Sequence, residues 1–503
     1  MIQITVNKEI AHPKSRSHIR LRFGERIGRI FLEKKLNNWV GVLLFTGIGV
    51  SMGWMLATRP LLGVGIVLLS MSLALVIACL MSTETGFYLN MAYTFFAYHF
   101  SRLLFNDPLP VGVITDIFTG LMLFSLFIKR ISLRKSINEF THTTIIVLTI
   151  LNFFYGSLEL FNPEGHSFDA WLQAIRRSLE TFILLFIAFQ FLNNKTTIRK
   201  YIKTLFILCT VVAIYGCIQQ WHGLFDFERN WVMSDDLRFG LDFINGEFRK
   251  FSTFNDPTAF GNTMAACSVF FTIIALNSRD KKIKRVLLGG VVFMLLGMAY
   301  SGTRTANVML LAGLVMYILL SFDNRGTRVF AVIATLVFMA ILNVPVYNNN
   351  TINRFRSSFA GTNDESYKVR ELSRNYIRPY LHAHPFGGGL GTTGTLGSVL
   401  NPGHFLAGFQ TDSGYLQAAL EIGWVGLFLI CLLFFFVLRR GIAAFFNCRD
   451  PEMKTVYAGA TCSIFCYYVG MFAQNTLGQI TDMAFYFPLM ALILRFKHAD
   501  NQG

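Results

Sequence analysis

Six arginines, Arg102, Arg176, Arg177, Arg249, Arg304 and Arg370, sit at the ends of apolar stretches or in the loops between them. The charge pattern described below puts all six on the outer side of a membrane. A guanidinium offers a planar fork of donors that matches phosphate oxygens bidentately. Two of them about 4 Å from a pyrophosphate each supply several kcal/mol of gross Coulomb attraction at an effective dielectric near 20. A convergent anion site at the outer face is the chemistry this pattern allows. The competing reading, snorkelling to lipid headgroups, is preferred for Arg102, Arg176 and Arg177. For Arg304, inside the tight "YSGTRTAN" between two apolar stretches, function is at least as well supported.

A second chemical stretch is "TDSGYLQAALEIGWVGLFLICLLFFFVLRR", residues 411–440. Read as one continuous helix it has Asp412 at its mouth and Glu421 roughly 13 Å further into the bilayer. Ionisable groups at that depth are costly and need partners. Glu421 is expected to pair with a buried polar group on the face it shares with Gln417, and a structural hydrogen bond is the favoured reading. "GLGTTG", 389–394, matches GxGxxG formally. No strand precedes it and no βαβ unit surrounds it, so Gly389 and Gly391 are expected to turn sharply or to bring backbone close to a ligand, with N–H groups able to help hold an anion. His382, His384 and His404 lack HExxH or CxxC spacing, so structural roles are preferred and no metal site is assigned. "SDD" at 234–236 has no partner motif.

The elements that must position these groups follow from composition. With 53% hydrophobic residues and a mean hydropathy of +0.47, too little polar surface remains for a soluble chain of this length. The predicted class is an all-α polytopic membrane protein. Apolar windows near 20 residues recur about 14 times (12 to 14 spans), beginning near Trp39, Leu61, Phe87, Val111, Thr144, Ala174, Leu205, Phe260, Val286, Thr305, Val329, Gly414, Val456 and Ile480. Lys and Arg crowd residues 1–38 and alternate loops, for example Lys129 to Lys135 and Arg279 to Arg285. By the positive-inside bias both termini face the cytoplasm, and most of the +16 charge is accounted for without nucleic acid. The expected organisation is a basic cytoplasmic segment, 1–38; eleven spans within 39–346, with an outer loop at about 220–257; a large helical extracytoplasmic cap, 347–412, between the eleventh and twelfth spans; three spans within 413–497; and a tail, 498–503. "RLRFGERIGRIFLEKKL" reads either as a basic amphipathic helix on the inner leaflet or as a solvated tail. None of the eight cysteines falls in an outer loop, so no disulfide framework is expected.

Four segments, in order, resemble the O-antigen ligase and O-antigen polymerase superfamily of bacterial envelope polysaccharide synthesis. "RKFSTFNDPTAFGN" is similar to its Arg-then-Asn-Pro segment, with Asp256 between Asn255 and Pro257. "SGTRTA" is similar to Ser-x-Ser-Arg, with Thr303 for the second serine. "DESYKVR" and "HPFGGGLG" resemble its Ser-x-x-x-Arg and Pro-x-Gly-x-Gly segment, and "DSGYLQAALEIGWVG" has the spacing of its His-Asn, nine residues, Gly-x-x-Gly signature. The resemblance implies transfer of an undecaprenyl-pyrophosphate-linked glycan to a hydroxyl at the outer face of the inner membrane, without cofactor or metal. It places Arg304 and Arg370 on the pyrophosphate, with Arg249 as a third candidate. The ligases of the family carry a His where this chain has Asp412, which shifts weight to a polymerase, with Asp412 as base and His404 as fallback. The acceptor is then another lipid-linked repeat unit, and a chain-length regulator and a flippase are the expected partners. The alternatives are a ligase delivering glycan to lipid A or to a protein, and, from another class, a lipid-linked oligosaccharide flippase.

Overall fold

A computed structural model describes residues 39–59, 73–105, 110–128, 133–165, 167–244, 246–343, 349–359 and 365–496. The basic segment 1–38, the window near Leu61 and the tail 498–503 lie outside the described residues. The chain divides into two compact units, Met1–Ser82 and Thr83–Gly503. The first contains the apolar helix Trp39–Thr58. The second carries all the chemistry considered below.

Helices make up most of the described structure, and the one sheet among the described residues is the hairpin of Phe243–Ile244 with Glu247–Phe248. Seven described helices are long and apolar enough to cross a bilayer: Val111–Ile128, Thr144–Phe161, Lys195–Trp221, Pro257–Asn277, Lys281–Tyr300, Arg325–Asn343 and Gly414–Asn447. The protein is therefore an all-α polytopic membrane protein, as expected. Other windows counted among the fourteen form different helices. Thr83–Phe105 and Phe168–Phe191 are span-length but carry charge, including Glu84, Arg102, Arg176 and Arg177. Arg304–Leu320 and Ile480–Leu494 are shorter apolar helices.

Pro257–Asn277 is apolar on every face, the pattern of a helix surrounded by others. It packs against Lys281–Tyr300, Arg304–Leu320 and Pro451–Gly470, and nearly all of its side chains are buried. Its start is set by Pro257 at the first turn and by Asp256, whose Oδ1 accepts from the N–H groups of Thr258 and Ala259 at 2.8 and 2.9 Å. Arg325–Asn343 is the opposite case: Val329, Val332, Ile333, Leu336 and Val337 are exposed, the surface of a helix that faces lipid.

The stretch from Gly414 to Asn447 is helical but not straight. Gly423 sits at φ 66°, ψ −169°, a conformation essentially confined to glycine. The rings of Tyr415 and Phe434 are 6.2 Å apart, where a continuous helix would separate those residues by about 28 Å. Both reach Tyr468: the Tyr415 hydroxyl donates to its carbonyl at 2.9 Å and Phe434 stacks on its ring at 3.9 Å. The chain therefore reverses at Gly423, and residues 424–447 return beside 414–422. This corrects the expected depth of Glu421. Asp412 and Gly414 lie level with the end of Pro451–Gly470, where Gly414 N–H donates to the Met471 carbonyl at 2.9 Å. Glu421 lies away from that level, toward the turn at Gly423, and not further along the span.

The described elements of 347–412 are helices Asn350–Ser357, Glu365–Ala383 and Gly394–Leu400. Glu365–Ala383, the cap helix, seats Ile377 on Leu406 and Leu420. Its opposite side leaves Val369, Leu372 and Tyr376 exposed.

Candidate functional site

The turn Ser301–Thr303 joins Lys281–Tyr300 to Arg304–Leu320 and gathers three arginines. Arg249, which follows the hairpin, donates from Nε to the Ser301 carbonyl at 3.0 Å and from Nη2 to Thr303 Oγ1 at 2.9 Å. Thr303 Oγ1 in turn donates to the Pro257 carbonyl at 3.0 Å. Arg354, on Asn350–Ser357, lies directly over Gly302. A Cβ at Gly302 would come within 3.1 Å of its Nε, and φ is +61° there, so the turn and the close approach both require glycine. Arg304 is the first residue of the next helix, whose amino end is a favourable place for an anion.

The electrostatics follow from this crowding. Burial, with the charges of Arg249 and Arg304 acting in the same direction, lowers Arg354 to about 10. Burial also lowers Arg249, with Asp242 and Asp256 opposing. Arg249, Arg354, Glu247 and Asn350 border a cavity of about 30 Å³. A cluster of like charges around a small polar cavity is relieved by an anion.

The second half of the site is tied to the first by the turn after Pro451–Gly470. Gln474 donates from Nε2 to Thr305 Oγ1 at 2.8 Å, next to Arg304. Asn475 donates to Gln417 Oε1 at 3.0 Å. The Met471 carbonyl accepts from Ser413 Oγ at 3.0 Å as well as from Gly414. The Arg304 turn and the Asp412 turn thus hang from the same five residues. Asp412 itself faces the cap helix, with Arg374 Nη2 3.0 Å from its Oδ2.

The remaining residues singled out from the sequence have other placements. Arg370 is one turn before Arg374 and makes no hydrogen bond or ion pair with the other site residues described here; Arg354 and Arg374 join Arg249 and Arg304 at the site. Both were in view in "RFRSSF" and "VRELSR". Arg354 runs against the outer-side scarcity of basic residues, and Arg374 lies four residues after Arg370 on the same helix face. His404 is buried, and its Nδ1 accepts from the Leu406 N–H at 3.0 Å. A neutral ring in that setting carries its proton on Nε2 and has no free lone pair, so this geometry is that of a donor rather than a base.

Arg102 does not snorkel. It is fully buried between the rings of Trp231 and Phe251, each 4.7 Å away, and donates to the carbonyls of Phe254 and Ser252 at 2.7 and 3.2 Å. Arg176 pairs with Asp116, and Arg177 donates to the Gly478 carbonyl.

Glu421 holds the glycine loop. Its Oε1 accepts from the Thr393 hydroxyl, from Gln417 Nε2 at 3.2 Å and from the Thr393 N–H at 3.4 Å. The N–H groups of Gly388 and Gly389 donate to the carbonyls of Leu420 and Glu421 at 2.7 and 2.9 Å, and that of Trp424 to Pro385 at 2.9 Å. The backbone of Gly389 therefore faces helix, with no N–H left for an anion. A Cβ on Gly389 or Gly391 would meet Gly165 at 2.8 Å or Ala170 at 3.1 Å. With φ of +93° and +68° both make the sharp turns that were one of the two expectations for them, and they pack the loop closely against Gly165 and the start of Phe168–Phe191.

Residues 289–431 match the model of the O-antigen ligase family. The match supports the O-antigen ligase and polymerase superfamily, and it covers Arg304, Arg354, Arg374, Asp412 and Glu421. Arg249 precedes the matched residues, as does the whole of the buried helix Pro257–Asn277. No curated protein matches the chain.

Proposed function

We propose that this protein is a lipid-linked polysaccharide polymerase. It transfers an undecaprenyl-pyrophosphate-linked glycan to a sugar hydroxyl of another lipid-linked repeat unit, at the outer face of the bacterial inner membrane, with both termini cytoplasmic and without a metal. The observation that carries the reading is the convergence of Arg249, Arg304 and Arg354 on one glycine turn, tied through Gln474 and Asn475 to the turn bearing Asp412. Fixed positive charge of this kind stabilises a departing pyrophosphate.

In the transfer the acceptor oxygen bonds to the anomeric carbon. The bond from that carbon to the phosphate oxygen breaks, and pyrophosphate leaves with the electron pair. Asp412 takes the hydroxyl proton. The arginines, Asp412 and Gln474 all belong to one end of the bundle, around Tyr300, Arg304 and Gly470, which favours an enzyme over a flippase. The family match favours a second reading, a ligase whose acceptor is lipid A or a protein.

The deciding experiment compares surface glycans and lipid-linked precursors in cells with and without the protein. Single repeat units on the normal anchor, in cells lacking it, are the polymerase result. Long chains stranded on undecaprenyl pyrophosphate are the ligase result and would overturn the polymerase assignment.

A further inference from the structure

Asp412 Oδ2 is buried and lacks an aligned hydrogen-bond donor. The cation nearest it is Arg374 Nη2, 3.0 Å away. The pair is in Coulombic contact but out of line for a hydrogen bond, a weak union of two groups that each bond better elsewhere. The partners are also unequally placed. The Arg374 side chain is 46% exposed and that of Asp412 13%, so the arginine is the member able to swing away. It extends from the cap helix, whereas Asp412 is fixed by the Ser413 and Gly414 bonds to Met471. While the guanidinium stays, it occupies the approach to the oxygen that an acceptor hydroxyl must reach.

We propose that the Arg374–Asp412 contact is a resting latch that the anionic substrate opens. The pyrophosphate of the lipid-linked glycan draws Arg374 off the carboxylate, because a guanidinium matches phosphate oxygens bidentately and this carboxylate only partly. Asp412 Oδ2 is then uncovered for the hydroxyl. Arg374 is a positioning residue, acting through Asp412 and through the substrate's phosphates. The inference rests on the transferase reading above and adds to it that donor arrival and exposure of the base are one event. By reciprocity, a carboxylate that competes for the arginine must weaken pyrophosphate binding.

The test is binding of undecaprenyl pyrophosphate to the purified full chain in detergent, for the wild type, Asp412→Asn, Arg374→Gln and the double variant. Removing the competing charge in Asp412→Asn tightens binding about 2- to 5-fold, the scale of a weak ion pair. Arg374→Gln weakens it, and the double variant binds like Arg374→Gln, because the gain needs the arginine. A gain in Asp412→Asn that persists in the double variant overturns the latch, as does no gain at all in a folded Asp412→Asn. Arg304→Ala is measured alongside: if it leaves binding unchanged, the pyrophosphate site itself is misplaced, a failure of the transferase reading that is distinct from failure of the latch. Arg374→Lys keeps the charge without the fork and binds between wild type and Arg374→Gln; wild-type binding by Arg374→Gln also refutes the handover.

Discussion

Gly423→Ala is the substitution whose consequence the geometry determines most fully. Glycine tolerates φ 66°, ψ −169°; any other residue there carries a strain of about 1 to 3 kcal/mol. The new methyl group would lie 2.2 Å from the Pro385 carbonyl oxygen and 2.5 Å from the Phe386 carbonyl carbon. Both are backbone atoms, so no side-chain rotation relieves the overlap and the loop must leave the helix turn. Its departure breaks the bonds from Gly388 to Leu420, Gly389 to Glu421 and Trp424 to Pro385, each about 1 kcal/mol net. The sum is about 4 to 6 kcal/mol, a large fraction of the stability of an ordinary domain. Thermal unfolding in detergent, with membrane abundance and glycan chain length in cells, reads the effect. Gly403→Ala is the control, since it has nothing within 4 Å of a new Cβ. Gly423→Ala is expected to melt several degrees lower and to make little polymer. If it melts and polymerises like the control, the chain does not reverse at Gly423 in the way described.

Arg304→Ala and Arg354→Ala should each abolish polymer while leaving protein abundance intact; normal chain length in either removes that residue from the site. Inorganic pyrophosphate should raise the melting temperature by relieving repulsion among Arg249, Arg304 and Arg354, and an unchanged melting point in both the wild type and Arg354→Ala would count against an anion site. Burial, partly opposed by Arg249, pushes Asp242 up to about 6 from 3.8. The fold therefore favours the protonated carboxyl, and the stability this confers is fully present below the unfolded value and lost as pH rises through about 6. Asp242→Asn should accordingly gain melting temperature relative to wild type between pH 4 and 7, and parallel curves would refute the burial argument. A chelator should leave transfer in vitro unchanged, and restoration by a metal ion after a loss would overturn the metal-independent mechanism.

Composition and periodicity were enough to determine the membrane class, because an apolar stretch of bilayer length has few other stable environments. Local order was equally legible where its cause is local: "NDPTAF" announces a capped helix start through Asp256 and Pro257, and the helical character of 347–412 was readable as well. The four family-like segments were visible as segments. The hand-over of roles between arginines was not, because Arg249, Arg304 and Arg354 meet only through a turn whose glycine leaves room for a guanidinium. Arg370 and Arg374 differ by one helical turn, and only the packing of Ile377 against Leu420 decides which of them faces Asp412. Glu421 shows the limit most sharply. Its expected depth assumes a continuous helix, whereas the reversal depends on one glycine conformation stabilised by hydrogen bonds to a loop more than thirty residues upstream. Hydropathy reports how costly each residue is in lipid; the direction of the chain through that lipid is set by contacts distant in sequence, which tertiary structure alone supplies.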